Sequence, residues 1–413
     1  MKDILLPTIG TGGDVYPFIA IGAELKRRGH RVSLIANEHF QSAAQQAGID
    51  FIQLAPVERY QAALNNPDLW NPKRGANLLA TSVFAAMRDT YHIIADFNPA
   101  TTQVVASGLM FGARIAQEKL KFRLTTIHLQ PALFWSLQQP PIMAALQFPD
   151  WVPGAVKRGA LRLVDRVVLD KLLAARTNEF RAELGLSPVR HLYSQWLRSP
   201  EQVIGLFPEW FAAPQSDWPK QTVLTGFVRG LGAQQDLTLP QELLEFLADG
   251  APPVVFTAGT GMLHGENFFE QSVKACALLG KRGVFITPFR EQLPSKLPSI
   301  IHHCDYASFS ELFPRAAAVV HHGGIGTLAE ALAAKIPQII QPTAHDQPDN
   351  AARLEQLGIA ATIKPRNYQA ATVARKISAL LSSSEVGARC NQYGVRIDFA
   401  GALRATCDAI TSD

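Results

Sequence analysis

The chain has 413 residues, enough for two domains of ordinary size, and its 47% apolar and 18% charged residues are those of a globular enzyme. A formal net charge of only +4 gives no case for nucleic acid as a partner. Four cysteines, at 276, 304, 390 and 407, have neither a CxxC pair nor metal-like spacing with histidine, so reduced thiols and a cytoplasmic location are expected. The amino terminus turns straight into a strand, without the apolar region and cleavage site of a leader. No run reaches the ~20 apolar residues of a membrane span.

In chain order, Ile4-Leu-Leu-Pro-Thr8 reads as a short buried strand ending in a glycine loop over Gly10–Gly13. A helix is predicted from about Pro17 to Arg28, then a strand from Arg31 to Ala36, a helix from Asn37 to Ala47 and a strand from Phe51. Strand and helix alternating at this pitch imply a parallel sheet covered on both faces. Val104–Ser107, Leu124–Ile127 and Gln202–Leu206 continue as strands of the same domain. Residues 130–160, rich in Pro, Trp, Phe, Met and Leu without clean periodicity, are expected to line an acceptor pocket. The basic clusters Lys26–Arg28 and Lys157–Arg166 read as solvated helix faces, with a peripheral membrane contact left open.

Residues 226–241 have linker composition, and after them the alternation restarts at Pro253. The expected division is 1–228 for an acceptor-binding domain, 229–394 for a second doubly wound domain, and 395–413 for a last helix crossing back to the first. Within the second domain, the strand-like Ala-Val-Val320 runs into His321-His322-Gly-Gly324-Ile-Gly326-Thr327 and then a helix. Such a turn presents free N–H groups at the positive end of a helix dipole, where phosphate oxygens are held. A second strand, Pro337–Gln341, closes on Pro342-Thr-Ala-His345-Asp346-Gln347-Pro-Asp-Asn350 and delivers a polar pair to the same sheet edge. An anion site and a polyol-reading pair, about 20 residues apart, suggest a sugar on a diphosphate.

His322-Gly-Gly-Ile-Gly-Thr327 followed by Glu330, and then Asp346-Gln347-Pro-Asp-Asn350, resemble the nucleotide-sugar signature of the bacterial UDP-glycosyltransferase superfamily. The likeness extends to Gly10-Thr-Gly-Gly-Asp14-Val-Tyr-Pro17, Ser194-Gln-Trp-Leu-Arg-Ser-Pro200, Leu206–Pro214 and Asp217-Trp-Pro219. These mid-chain stretches are most similar to the rhamnosyltransferases of rhamnolipid synthesis. The resemblance implies a GT-B architecture, two Rossmann-like domains facing across a cleft, and an inverting transfer of a hexose or deoxyhexose. The donor would be a UDP- or dTDP-sugar, bound as a substrate, and the acceptor a lipophilic small molecule with a hydroxyl. Neither a cofactor nor a metal is expected, because helix N–H groups and a histidine can take up the charge of the leaving diphosphate.

By the same resemblance His322 contacts the phosphates, with Gly324, Gly326 and Thr327 as further donors. Glu330 holds the ribose, and Asp346 and Gln347 read sugar hydroxyls. Thr257 and Thr260, in the turn after the first strand of the second domain, add phosphate donors. Tyr306 and Phe309 stand where the family often has a base-stacking tryptophan and a glutamine, which leaves uracil and thymine both open. Asp14 takes the place of the catalytic base, and a role as helix N-cap stays open. His128, near a strand end of the same domain, is the next candidate base. An epimerase of the same architecture and an inactive transferase-like partner are the competing readings, whereas the Gly10-x-Gly12-Gly13 spacing lacks the full fingerprint of a dehydrogenase.

Overall fold

The computed structural model describes residues 1–71, 74–142, 151–231, 238–259 and 261–412. The chain divides into two compact units, one of Met1–Leu69, Lys73–Gly232 and Asp398–Asp413, the other of Trp70–Pro72 and Ala233–Ile397.

In the first unit β1 (Asp3–Pro7), β2 (Arg31–Asn37), β3 (Asp50–Ala55), β4 (Thr102–Ser107), β5 (Arg123–His128), β6 (Gln202–Gly205) and β7 (Thr222–Leu224) form one sheet. Its order is β3-β2-β1-β4-β5-β6-β7, and the neighbouring strands run parallel. Chain order therefore reverses between β1 and β4, the point where a doubly wound sheet opens a crevice at its carboxyl edge. The strand residues Ile4, Leu6, Val104, Val105, Val203 and Ile204 are fully buried, as expected of strands covered on both faces.

The second unit repeats the plan with β8 (Val254–Thr257), β9 (Gly283–Ile286), β10 (Ile301–Cys304), β11 (Ala318–His321), β12 (Gln338–Ile340) and β13 (Ala360–Thr362). Here the order is β10-β9-β8-β11-β12-β13, again parallel, and the reversal lies between β8 and β11. The fold is thus two parallel-sheet Rossmann-like α/β units of seven and six strands, as the GT-B resemblance implies.

Several details depart from the sequence reading. The first helix begins at Gly12 rather than Pro17, because Thr11 caps it and the glycines become its first turn. The expected helix over 37–47 shrinks to a short turn, Glu38–Phe40, and a helix Gln41–Gln46. Residues 154–163 are helical, not irregular, and run through a π-helical turn at Val164–Leu169 into a helix ending at Glu183. The last helix, Phe399–Thr411, packs in the first unit: Arg28 pairs with Asp408 at 2.5 Å, and Gln103 Nε2 donates to the Ile410 carbonyl at 2.9 Å.

The mid-chain motif is spent on holding the first unit together. Trp196 Nε1 donates to Glu118 at 2.7 Å, and the same carboxylate pairs with Arg181 and Arg114 at 2.5 and 2.8 Å. Ser199 Oγ donates to the Leu124 carbonyl at 2.6 Å, and buried Arg198 donates to the Leu133 carbonyl at 3.1 Å. Asp217 accepts from Ser136 Oγ and the Leu137 N–H, while Trp218 stacks on Phe134 at 4.3 Å. Phe134 and Trp135 are consequently buried in packing instead of lining a pocket. Residues 143–150 of the expected acceptor region lie outside the described residues.

Candidate active site

The β-sheet register of the second unit sets the site. Cys304, Ile286, Thr257, His321 and Ile340 are paired in one continuous row across β10, β9, β8, β11 and β12. The loops that follow these residues leave the sheet at one level, at its carboxyl edge. Tyr306 follows β10, Thr257 ends β8, His322 follows β11, and Asp346 and Gln347 follow β12. At ~4.8 Å per strand, β10 lies about 14 Å from β11. A nucleotide laid along this edge from base to diphosphate spans such a distance, and the strand beyond it carries the Asp-Gln pair.

His321 is fully buried and locked. Its Nδ1 accepts the Gly323 N–H at 3.1 Å, so Nε2 carries the proton and donates to Gln338 Oε1 at 2.9 Å. Burial, with His322 adding to it, pushes its pKa down to about 3. This ring shapes the turn and stays neutral.

His322 sits differently. A Cβ on Gly259 would lie 2.7 Å from its Cε1, and one on Gly324 would lie 2.4 Å from its Nε2. Two glycines, from the turns after β8 and β11, thus make a slot that only side-chain-free backbone leaves open. The buried Nδ1 has no hydrogen-bond partner among the described residues. Loss of water lowers the pKa to about 4, so the imidazole is neutral at pH 7 and offers one N–H and one lone pair. An orphaned polar atom beside an uncapped helix start marks a place built for a ligand.

That helix, Ile325–Ala333, has Gly324 as its N-cap and no side-chain cap. The N–H groups of its first turn, Ile325, Gly326 and Thr327, are those a helix leaves unpaired, and Gly326 is exposed to open space. Glu330 lies on the second turn of the helix, partly buried. Thr257 is buried and its Oγ1 accepts the Gly259 N–H at 3.3 Å, which leaves its O–H to donate. Thr260 lies outside the described residues.

The Asp-Gln pair is held by its own loop. Gln347 Oε1 accepts from the Thr343 N–H and hydroxyl, both at 2.8 Å, and from the Ala344 N–H at 3.2 Å. Its amide nitrogen is the end left for a ligand. Asn350, fully buried, donates to Asp346 Oδ2 at 2.7 Å and to the Gly323 carbonyl at 2.9 Å. It ties the Asp346 carboxylate to the turn after β11, a role with no sign in the sequence beyond its place in the motif. Trp70 is a second residue that sequence reasoning missed. It comes from the first third of the chain, yet packs in the second unit, donating Nε1 to the Gly261 carbonyl at 3.0 Å with its ring 5.6 Å from that of His345.

At the base end, Tyr306 is exposed, while Phe309 stacks on Phe313 at 4.5 Å and faces the core. Phe309 therefore offers a ligand only its backbone N–H, at the start of the helix Phe309–Leu312.

In the first unit Asp14 follows β1, at the reversal point of that sheet. It is the third residue of its helix and not the N-cap. Its Oδ2 reaches back to the Thr11 N–H at 2.8 Å and to the Thr11 hydroxyl at 3.2 Å, closing a capping box. A Cβ on Gly10 would lie 2.3 Å from that oxygen, which is why glycine stands there. Oδ1 has no partner among the described residues. Loss of water raises the carboxyl pKa, and the two Thr11 bonds only partly oppose it. His128, the other candidate base, is buried against Phe134 and Gly108, and its pKa falls to about 3 through loss of water and the nearby Arg198. So deeply enclosed a ring is poorly placed to meet a substrate.

Residues 4–132 match the glycosyltransferase family 28 N-terminal domain, and residues 284–394 match the erythromycin biosynthesis protein CIII-like C-terminal domain. The chain is 30% identical to the O-mycaminosyltylonolide 6-deoxyallosyltransferase of Streptomyces fradiae, over 88% of this chain and 85% of that one. Among solved structures, the kitacinnamycin glycotransferase superposes with a TM-score of 0.74 at 19% identity, covering 99% of this chain and 98% of the other. The spinosyn rhamnosyltransferase SpnG in complex with thymidine diphosphate superposes with a TM-score of 0.68 at 16% identity, covering 99% and 100%.

Proposed function

The chain belongs to the family of glycosyltransferases that join these two domains, an enzyme that transfers sugar, and from that premise we propose an inverting, metal-independent transfer of a deoxyhexose from a dTDP-sugar to a hydroxyl of an apolar secondary-metabolite aglycone. The order of groups along one sheet edge carries the reading: an exposed tyrosine, a neutral histidine beside an uncapped helix, then an Asp-Gln pair. The preference for a deoxy sugar on thymidine diphosphate rests on the named relatives, one a 6-deoxyallosyltransferase and one a rhamnosyltransferase holding that nucleotide. Rhamnose itself, carried to a fatty alcohol, is the narrower form suggested by the mid-chain likeness. An epimerase and an inactive partner gain no support from these relatives.

In the proposed reaction Asp14 Oδ1 takes the proton of the acceptor hydroxyl while Oδ2 stays anchored on Thr11. The acceptor oxygen forms a bond to the anomeric carbon from the face opposite the diphosphate. The bond from that carbon to the diphosphate oxygen breaks, and the nucleoside diphosphate leaves with the electron pair. His322 N–H and the N–H groups of Ile325, Gly326 and Thr327 stabilise the charge that develops there, as preorganised donors do. Glu330 would hold the ribose, and Asp346 with the Gln347 amide the sugar hydroxyls.

The test is transfer measured with dTDP- and UDP-sugars in excess EDTA, on the native chain and on His322→Ala. The native rate should stay within about twofold on chelation, and the variant should lose ~100-fold in turnover while remaining folded. Unchanged turnover in the variant, or a rate that collapses with EDTA and returns with magnesium, would sink the proposal.

A further inference from the structure

Residues 151–171 carry an exposed surface to which the proposed reaction assigns no role. Of the eleven large hydrophobic side chains that stand exposed among the described residues, five fall within 18 residues: Trp151 at 81%, Val156 at 57%, Leu163 at 62%, Val167 at 51% and Val168 at 55%. A soluble helix normally turns such side chains inward. This one buries the opposite side, Leu161 and Asp165, against its own unit and leaves an apolar stripe outside.

Charge follows the same division. Arg158, Arg162 and Arg166 recur every four residues, so they form one exposed row along the helix beside the apolar stripe, with Lys157 and Lys171 nearby. None of these cations makes an ion pair among the described residues. The two acids of the stretch are engaged on the inner side. Asp165 accepts from Ser194 Oγ at 2.6 Å and His191 Nδ1 at 3.0 Å, and Asp170 accepts the N–H groups of His191 and Leu192 at 2.8 and 3.0 Å. Among the described residues of this stretch, the outer face is therefore apolar and cationic with no compensating carboxylate.

We propose that this face docks on an anionic lipid bilayer, lying in the plane of the headgroups. Aliphatic side chains and an indole enter the acyl boundary, and the arginine stems reach back so that their guanidinium groups meet lipid phosphates. No helix among the described residues is long and apolar enough to cross a membrane, so the contact is peripheral. The surface explains how such an enzyme would meet an acceptor dissolved in lipid, and it holds whether or not the donor is a dTDP-sugar.

Vesicle sedimentation tests it, with phosphatidylcholine alone against phosphatidylcholine containing phosphatidylglycerol. The chain should pellet with the anionic vesicles, release as salt is raised, and stay in solution with the neutral ones. At roughly fivefold per cation, Arg158→Glu with Arg162→Glu and Arg166→Glu should lower affinity by more than ~100-fold. Leu163→Ser with Val167→Ser should lower it by at least ~10-fold. Both sets lie on the surface, and thermal melts confirm folding. Fluorescence should shift to the blue on anionic vesicles, and Trp151→Phe should remove most of that shift. Equal pelleting with both vesicles, no pelleting, or binding unchanged in the variants would overturn the proposal. So would a dimer in sedimentation equilibrium that the serine variant returns to monomer, because the face would then be covered by a second copy.

Discussion

The two units use the same device on opposite sides of the reversal point, after β1 in the first and after β11, the counterpart of β4, in the second, and finish it in opposite ways. In each, the strand beside the sheet's reversal point runs into glycines and then into a helix. After β1 the helix start is closed: Thr11 caps it, and Asp14 places a carboxylate on the Thr11 N–H. After β11 the helix start is bare, with Gly324 as N-cap and His322 filling the space between two glycines. A helix start holding its own carboxylate repels a phosphate and presents a base. One with no side chain attracts a phosphate. In the proposed reaction this difference in capping chemistry assigns the proton to one helix start and the phosphates to the other.

The largest effect should come from erasing that difference. Gly324→Asp puts a Cβ within 2.4 Å of His322 Nε2 and adds a carboxylate where the diphosphate would lie. Calorimetry should show thymidine diphosphate affinity lower by roughly 1,000-fold, the loss of more than one oxyanion donor. Gly324→Ala separates the two causes, keeping the crowding without the charge. If the aspartate variant binds as well as the native chain, the bare helix start is not the anion site.

The converse change, in the first unit, should be milder and kinetic. Asn accepts a hydrogen bond as Asp does but takes up no proton, so Asp14→Asn should keep the capping box, the melting temperature and the donor affinity. Turnover should fall by ~100-fold. A variant that transfers at the native rate would leave Asp14 as a structural cap only.

Asn350 should matter less again. Removing it in Asn350→Ala takes a donor from the Gly323 carbonyl and one from the Asp346 carboxylate. Because it acts through those groups, the expected change is ~10-fold in KM for the nucleotide sugar, with free nucleotide bound nearly as before. An equal loss for both ligands would mean that Asn350 merely supports the fold.

Much of this was legible before any coordinates. Short, nearly continuous apolar runs separated by glycine-stopped helices give two doubly wound sheets, since strands of such sheets are buried on both faces. His322 and the Asp346-Gln347 pair stand out because glycines and polar residues at strand ends are poor packing choices. The capping box did not show, since Thr11 and Asp14 are three residues apart within a loop whose helix was expected to start later. Trp70 was out of reach, because nothing local says that a residue so early in the chain packs beside His345. The motif at 194–200 shows its use only in the structure. It carries a family likeness, and Trp196, Arg198 and Ser199 bond to the first unit's own groups.

The last and smallest effect separates the two helix starts by pH. His322 is held neutral until about pH 4, below its ordinary 6.5, by loss of water. Its charge therefore does not change between pH 8 and 6, and a nucleotide sugar has no ionisation of its own there to confuse the reading. Donor affinity should stay within about twofold over that range, because a neutral N–H donates equally throughout. Asp14 moves the other way, its carboxyl pushed above the ordinary 3.8, so the base form is lost as pH falls through that raised value. The acid limb of kcat/KM should belong to Asp14 and disappear from the residual activity of Asp14→Asn. A donor affinity that climbs ~10-fold between pH 8 and 6 would show an imidazolium at the phosphates instead, and the contrast between a neutral slot and a titrating cap would fail.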